Sequence, residues 1–143
     1  MTAPSTLSAK LLECLEPRGE ILEAYLFGSI ATGSAQAHSD VDVAVYVDAG
    51  RQRASSFGYV ADLTAALMHA LGTNRVDVVL LNEAPPLLYH RVIRDGTRIL
   101  SRDLRATTTR EGQALSRYCD YVPQLEKIDA VHRARTADGH LGR

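Results

Sequence analysis

Three aspartates and a glycine–serine turn are the residues of this chain best suited to chemistry. Asp40 and Asp42 stand two residues apart and open the apolar run Val41 to Val47. In an extended strand that spacing puts both carboxylates on one sheet face, about 6–7 Å apart. Carboxylate oxygens so held are hard ligands that suit a hard divalent cation. Asp77 is the charged residue of a second apolar run, Val76 to Leu81, and a carboxylate in a buried strand needs a partner or a metal. Three acids on adjacent strands would suit two ions ~3.5–4 Å apart, stabilising the attacking and leaving oxygens of phosphoryl transfer.

The turn supplies the other half of the chemistry. Gly28-Ser29 precedes Asp40 with ten residues between. Gly28 would let backbone approach a ligand closely, and the N–H groups of the turn that follows would face anionic oxygens. The Ser29 hydroxyl adds a bond to phosphate, and Gly33 lets the chain turn back towards the acids. Taken singly, each feature has a plain structural reading: a turn, a solvated loop edge, a paired acid. Together they make a triphosphate cradle whose metal sits on Asp40 and Asp42.

These residues need elements to hold them. Leu7, Leu11, Leu12 and Leu15 recur at helical spacing behind Ser5 and Thr6, which can cap a helix stopped by Pro17. A strand is expected over Ile21 to Phe27, a helical turn over Ser29 to Thr32, and a second strand over Val41 to Val47. Val60, Leu63, Thr64, Leu67 and Met68 mark a helix from Ser55 or Ser56 to Leu71, with Gly72 just past its end. Val76 to Leu81 reads as a third strand, Pro85-Pro86 as the start of a helix through Arg94, and Thr97 to Leu100 as a fourth strand. A last helix begins near Leu104, with Ala114, Leu115, Tyr118 and Tyr121 on one side and an interruption at Pro123; the tail from Arg135 reads as polar and frayed. This order predicts an α/β (α+β) fold, a small mixed sheet of about four strands flanked by helices. Residues 1–102 would form the core domain and 103–143 a helical extension and polar tail of it.

Composition narrows the classes. At 143 residues with 45% apolar and 23% charged side chains, the chain is of single-domain size. A net charge of −1 gives no general attraction to nucleic acid or anionic membrane, so affinity for phosphate has to be local. No apolar run approaches the ~20 residues that span a bilayer. The first residues lack a basic segment followed by an apolar core, so a cytoplasmic protein is expected. Cys14 and Cys119 lie far apart without a partner motif and read as reduced thiols.

The segment GSIATGSAQAHSDVDVAV, with Gly28-Ser29 and Asp40-x-Asp42, resembles the signature of the DNA polymerase β-like nucleotidyltransferases. The run Ser39 to Asp42 and the later VDVVLLNEAPPLLYHRVIRDGTRIL are similar, more narrowly, to the minimal nucleotidyltransferase (MNT) antitoxins, which are paired with HEPN-domain ribonuclease toxins. The resemblance implies the nucleotidyltransferase fold, with Gly28, Ser29 and Gly33 on the triphosphate of ATP. It implies Asp40, Asp42 and Asp77 on two Mg²⁺ ions, Asp77 also activating the acceptor hydroxyl. The implied reaction is transfer of AMP to a tyrosine of the HEPN toxin; steric neutralisation without catalysis, or transfer to a small-molecule hydroxyl, are the alternatives. The sequence departs where many relatives carry Arg just after Gly-Ser: Ile30 and Thr32 stand here, leaving one phosphate-compensating charge unassigned.

Overall fold

Two valine- and aromatic-rich strands, β1 (Ile21–Phe27) and β2 (Val41–Val47), form the middle of the sheet in the computed structural model, which describes residues 4–28, 40–51 and 56–137. β3 (Val76–Leu80) and β4 (Thr97–Ser101) are its edges, in the order β3-β2-β1-β4. β1 runs antiparallel to β2 and to β4, whereas β2 and β3 are parallel. A parallel pair requires a crossover, and α2 (Ser56–Leu71) supplies it. The remaining helices are α1 (Pro4–Leu15), α3 (Pro86–Asp95) and α4 (Leu104–Ala137). This is the predicted mixed sheet flanked by helices, in the predicted order.

Period-two alternation splits the core into two faces. Ile21, Ala24, Leu26, Val41, Val43, Val45 and Val47 point to one side, where Leu7, Leu11 and Leu15 of α1 and Leu63 and Leu67 of α2 cover them. Each such side chain is worth about 1.5–3 kcal/mol when fully buried. Tyr25, Phe27 and Ala44 point to the other side, against Leu81, Tyr89 and Val92 around α3 and Ala114 of α4. By the same parity Asp42, two residues before Ala44, belongs to this second face.

Polar clamps hold α4 against the second face. Glu23 is wholly buried on β1 and pairs with Arg110, whose guanidinium also lies 4.7 Å above the Tyr46 ring. Tyr25 donates to Glu111 at 2.6 Å, and Arg98 of β4 reaches the same carboxylate at 2.7 Å. Asp103 caps the helix, its carboxylate accepting from the N–H groups of Arg105 and Ala106. Arg102 donates to the carbonyls of Glu16, Arg18 and Ile21, fastening the turn after α1.

Several boundaries differ from the sequence expectations. β3 ends at Leu80 because Leu81–Glu83 tighten into a 3-10 turn, and β4 runs on to Ser101. α4 does not break at Pro123, although proline removes one intrahelical bond and crowds the preceding turn. Leu115 is not part of a buried stripe with Ala114: it is half exposed, as are Ile128 and Val131 further along α4. Gly72 does terminate α2 as expected, with φ of 68° and its N–H on the Met68 carbonyl. The expected turn Ser29 to Thr32 and the end of the polar tail lie outside the described residues.

Candidate active site

The two antiparallel and parallel pairings bring three strand ends together. β1 finishes where β2 begins, and β3 begins beside β2, so Gly28, Asp40, Asp42 and Asp77 meet at one end of the sheet. In the ladder Phe27 lies opposite Asp42, and Asp42 lies directly beside Asp77. Neighbouring strands are about 4.8 Å apart, so these two carboxylates share one face with no residue between them.

Gly28 closes the site from β1. Its φ of 82° lies in the left-handed region, and a methyl group on it would overlap Asp42 Oδ2 and come within 3.0 Å of Asp42 Cγ. Glycine is therefore required twice here, by backbone conformation and by the approach of the carboxylate. Asp42 is half-buried, and its carboxyl is held above the usual carboxylate range, first by burial, then by the like charges of Asp77 and Asp40. A carboxylate held above its usual range by burial and by a carboxylate beside it is a donor that a divalent cation would relieve, so the residues fit Mg²⁺ in kind.

Asp77 departs from expectation in one respect. It was expected inside a buried strand, yet β3 is the sheet edge and Asp77 is exposed. Asp40 precedes β2 and is also exposed, with Arg75 Nη1 3.8 Å from its Oδ1. Among the described residues no group of three or more His, Cys, Asp or Glu side chains is placed to hold a metal ion. Asp42 and Asp77 are paired across the ladder, while Asp40 leans towards the arginine. Ser29 and Gly33 lie outside the described residues.

Other polar residues of the chain are engaged elsewhere. Asn82 follows β3, and its amide brackets the Val47 backbone, accepting at 2.9 Å and donating at 2.8 Å. That is the far end of β2 from the acids. His90 stacks flat on Tyr118, ring centroids 3.6 Å apart, joining α3 to α4. Arg94 and Arg98 pair with Asp95 and Glu111. Arg75 was not marked by the sequence; its one signal is strand parity, two residues before Asp77.

A family model described as "Polymerase beta, Nucleotidyltransferase" matches residues 9–105. The chain belongs to this nucleotidyltransferase family. The matched span holds all four strands, Gly28 and the three aspartates. No curated protein matches this nucleotidyltransferase by sequence. Solved structures resemble it in fold. A toxin–antitoxin crystallised with AMP-PNP superposes with a TM-score of 0.73 at 24% identity, covering 87% of this chain and 98% of that one. A complex of tri-AMPylated Shewanella oneidensis HEPN toxin with MNT antitoxin gives 0.67 at 22%, covering 90% and 98%. The toxin–antitoxin MntA-HepT gives the same values. Among the described residues of this nucleotidyltransferase, no helix is long and apolar enough to cross a membrane.

Proposed function

We propose that this nucleotidyltransferase is the antitoxin of a HEPN/MNT pair and transfers AMP from ATP to a tyrosine hydroxyl of its partner HEPN ribonuclease toxin. The observation that carries the reading is the ladder pairing of Asp42 with Asp77, with Gly28 pressed against Asp42. The fold shared with toxin–antitoxin structures, one with AMP-PNP and one with tri-AMPylated toxin, supports the choice of nucleotide and acceptor.

In this reading Asp40, Asp42 and Asp77 hold Mg²⁺, which when bound neutralises charge on the triphosphate and acidifies the acceptor hydroxyl. In the same reading Gly28, Ser29 and Gly33 are the residues assigned to the phosphates. Asp77, exposed on the edge strand, is open to an acceptor arriving on another protein, and its carboxylate takes the tyrosine proton. The tyrosine oxygen forms a bond to the α-phosphorus as the bond from that phosphorus to the bridging oxygen breaks. Pyrophosphate leaves with the electron pair. Positioning and charge neutralisation suffice for such a displacement; no covalent intermediate on the protein is needed.

A second reading, neutralisation of the toxin by contact alone, is favoured by one observation: α4 presents exposed Leu115, Ile128 and Val131. Incubation with labelled ATP, Mg²⁺ and the toxin separates the two. Label should pass to toxin from wild type and not from Asp40→Ala with Asp42→Ala. A double variant that still rescues cells from the toxin would select contact over catalysis.

A further inference from the structure

β3 is the edge of the sheet beside Asp42, and one side of its backbone is left over. In a parallel pair each strand turns alternate residues towards its neighbour. The N–H of Val41 donates to the Arg75 carbonyl at 2.8 Å, and Val41 is in register with Val76. The backbone groups of Asp77 and Val79 therefore face β2, while those of Val76 and Val78 point away from it. Among the described residues no strand pairs with that outer side. Sheet edges are ordinarily blunted by charge, proline or cover. The β4 edge follows that rule, carrying Arg98, which Glu111 holds, and packing against α1. β3 reads Val-Asp-Val-Val-Leu, with neither proline nor a basic residue, and its one charge is Asp77. Val78 and Val79, on opposite faces of the sheet, are only half-buried.

We infer that the open edge of β3 is the docking strand for the acceptor: an extended segment of the protein that carries the tyrosine adds to the sheet as a fifth strand, with its tyrosine at or next to the place opposite Asp77. This rests on the reading of Asp77 as the residue that takes the acceptor proton. A strand added here lies about 4.8 Å from β3, and its residue opposite Asp77 shares the face that Asp77 shares with Asp42. Main-chain bonds to Val76 and Val78 supply affinity, and apolar residues of the segment complete the cover of Val78 and Val79. A second copy of the chain fits this edge poorly. Antiparallel self-pairing about Val78 puts the two Asp77 carboxylates on one face about 7–8 Å apart, with like charge. An edge about 17 Å long and a sheet about 10 Å thick also meets a partner over far less than the ~1,200 Å² of a stable dimer. A substrate that docks, reacts and leaves needs no such area.

Hydrogen exchange on wild type tests the pairing directly. In the chain alone the Val78 amide should exchange fast and those of Asp77 and Val79 slowly. Adding the partner toxin, with Mg²⁺ and a non-hydrolysable ATP analogue, should slow Val78 by about tenfold or more. Val78→Pro tests the consequence, because it removes an N–H that β2 does not use, a place where an edge strand tolerates proline. This variant should melt like wild type, bind the ATP analogue with Mg²⁺ equally well, and show a KM for toxin raised about tenfold, with kcat moving less. Unchanged exchange at Val78 in a complex whose toxin does become labelled with ATP overturns the inference alone. So does a Val78→Pro chain of wild-type stability and unchanged KM. Protection of Val78 that grows with the chain's own concentration, without toxin, gives the edge to a second copy and overturns it too. Wild type that passes no label to toxin overturns the proposed function and this inference with it.

Discussion

Gly28→Ala and Gly72→Ala form a matched pair that separates backbone strain from damage to the site. Both glycines have positive φ, 82° and 68°, so alanine at either costs roughly 1–2 kcal/mol in the left-handed region. Their surroundings differ. A Cβ on Gly72 would meet nothing within 4 Å, whereas one on Gly28 would overlap the Asp42 carboxylate. To accept it, that carboxylate must shift by on the order of 1 Å, and a displacement of that size at a reacting centre costs about 10²-fold in rate. At about 3–4 °C per kcal/mol for a domain of this size, Gly72→Ala should lower Tm by roughly 3–8 °C and leave transfer per folded molecule unchanged. Gly28→Ala should melt at least as low and lose about 10²-fold or more in labelled-AMP transfer. Thermal unfolding by circular dichroism and the transfer assay read the two quantities separately. Equal transfer by the two variants would refute the placement of Asp42 in the reacting centre; a Gly28→Ala chain as stable as wild type would refute the contact itself.

Two further outcomes follow from the charges. Arg110→Ala leaves the wholly buried Glu23 uncompensated and should cost about 3–5 kcal/mol, a Tm fall of roughly 9–20 °C. Arg110→Met combined with Glu23→Leu should recover most of it, and a double variant no better than the single one would argue against a charge effect. Asp42 is held above its usual range, so between its unfolded value near ~4 and its raised folded value the folded chain keeps a proton that the unfolded chain has released. Its contribution therefore falls as pH rises through that window. Asp42→Asn should melt higher than wild type at pH 7 without metal and show a flatter pH dependence, and Mg²⁺ should raise the Tm of wild type only. A lower Tm for Asp42→Asn at pH 7 would contradict the like-charge origin of the shift.

Much of the architecture was legible because it is local. Valine at 41, 43, 45 and 47 can bury one side only in an extended chain, and that same period places Asp40 and Asp42 together. The stripes of α1 and α2, the end of α2 at Gly72, and the start of α3 behind two prolines follow from side-chain periodicity and backbone conformations that need no distant partner. Pairing partners are not local. The parallel register that sets Asp77 beside Asp42 depends on the α2 crossover between Val47 and Val76, whose docking is decided by the whole core. Edge position is likewise a property of the assembled sheet, so an apolar run around Asp77 reads as buried although β3 leaves that carboxylate in solvent. Arg75 beside Asp40 and Glu23 beneath Arg110 join residues 35 and 87 positions apart, and no spacing rule reaches that far. Sequence alone thus determined the strands and the face on which the first two acids lie; tertiary structure decided which third acid and which arginine stand beside them, because only packing brings separate strand ends to one place.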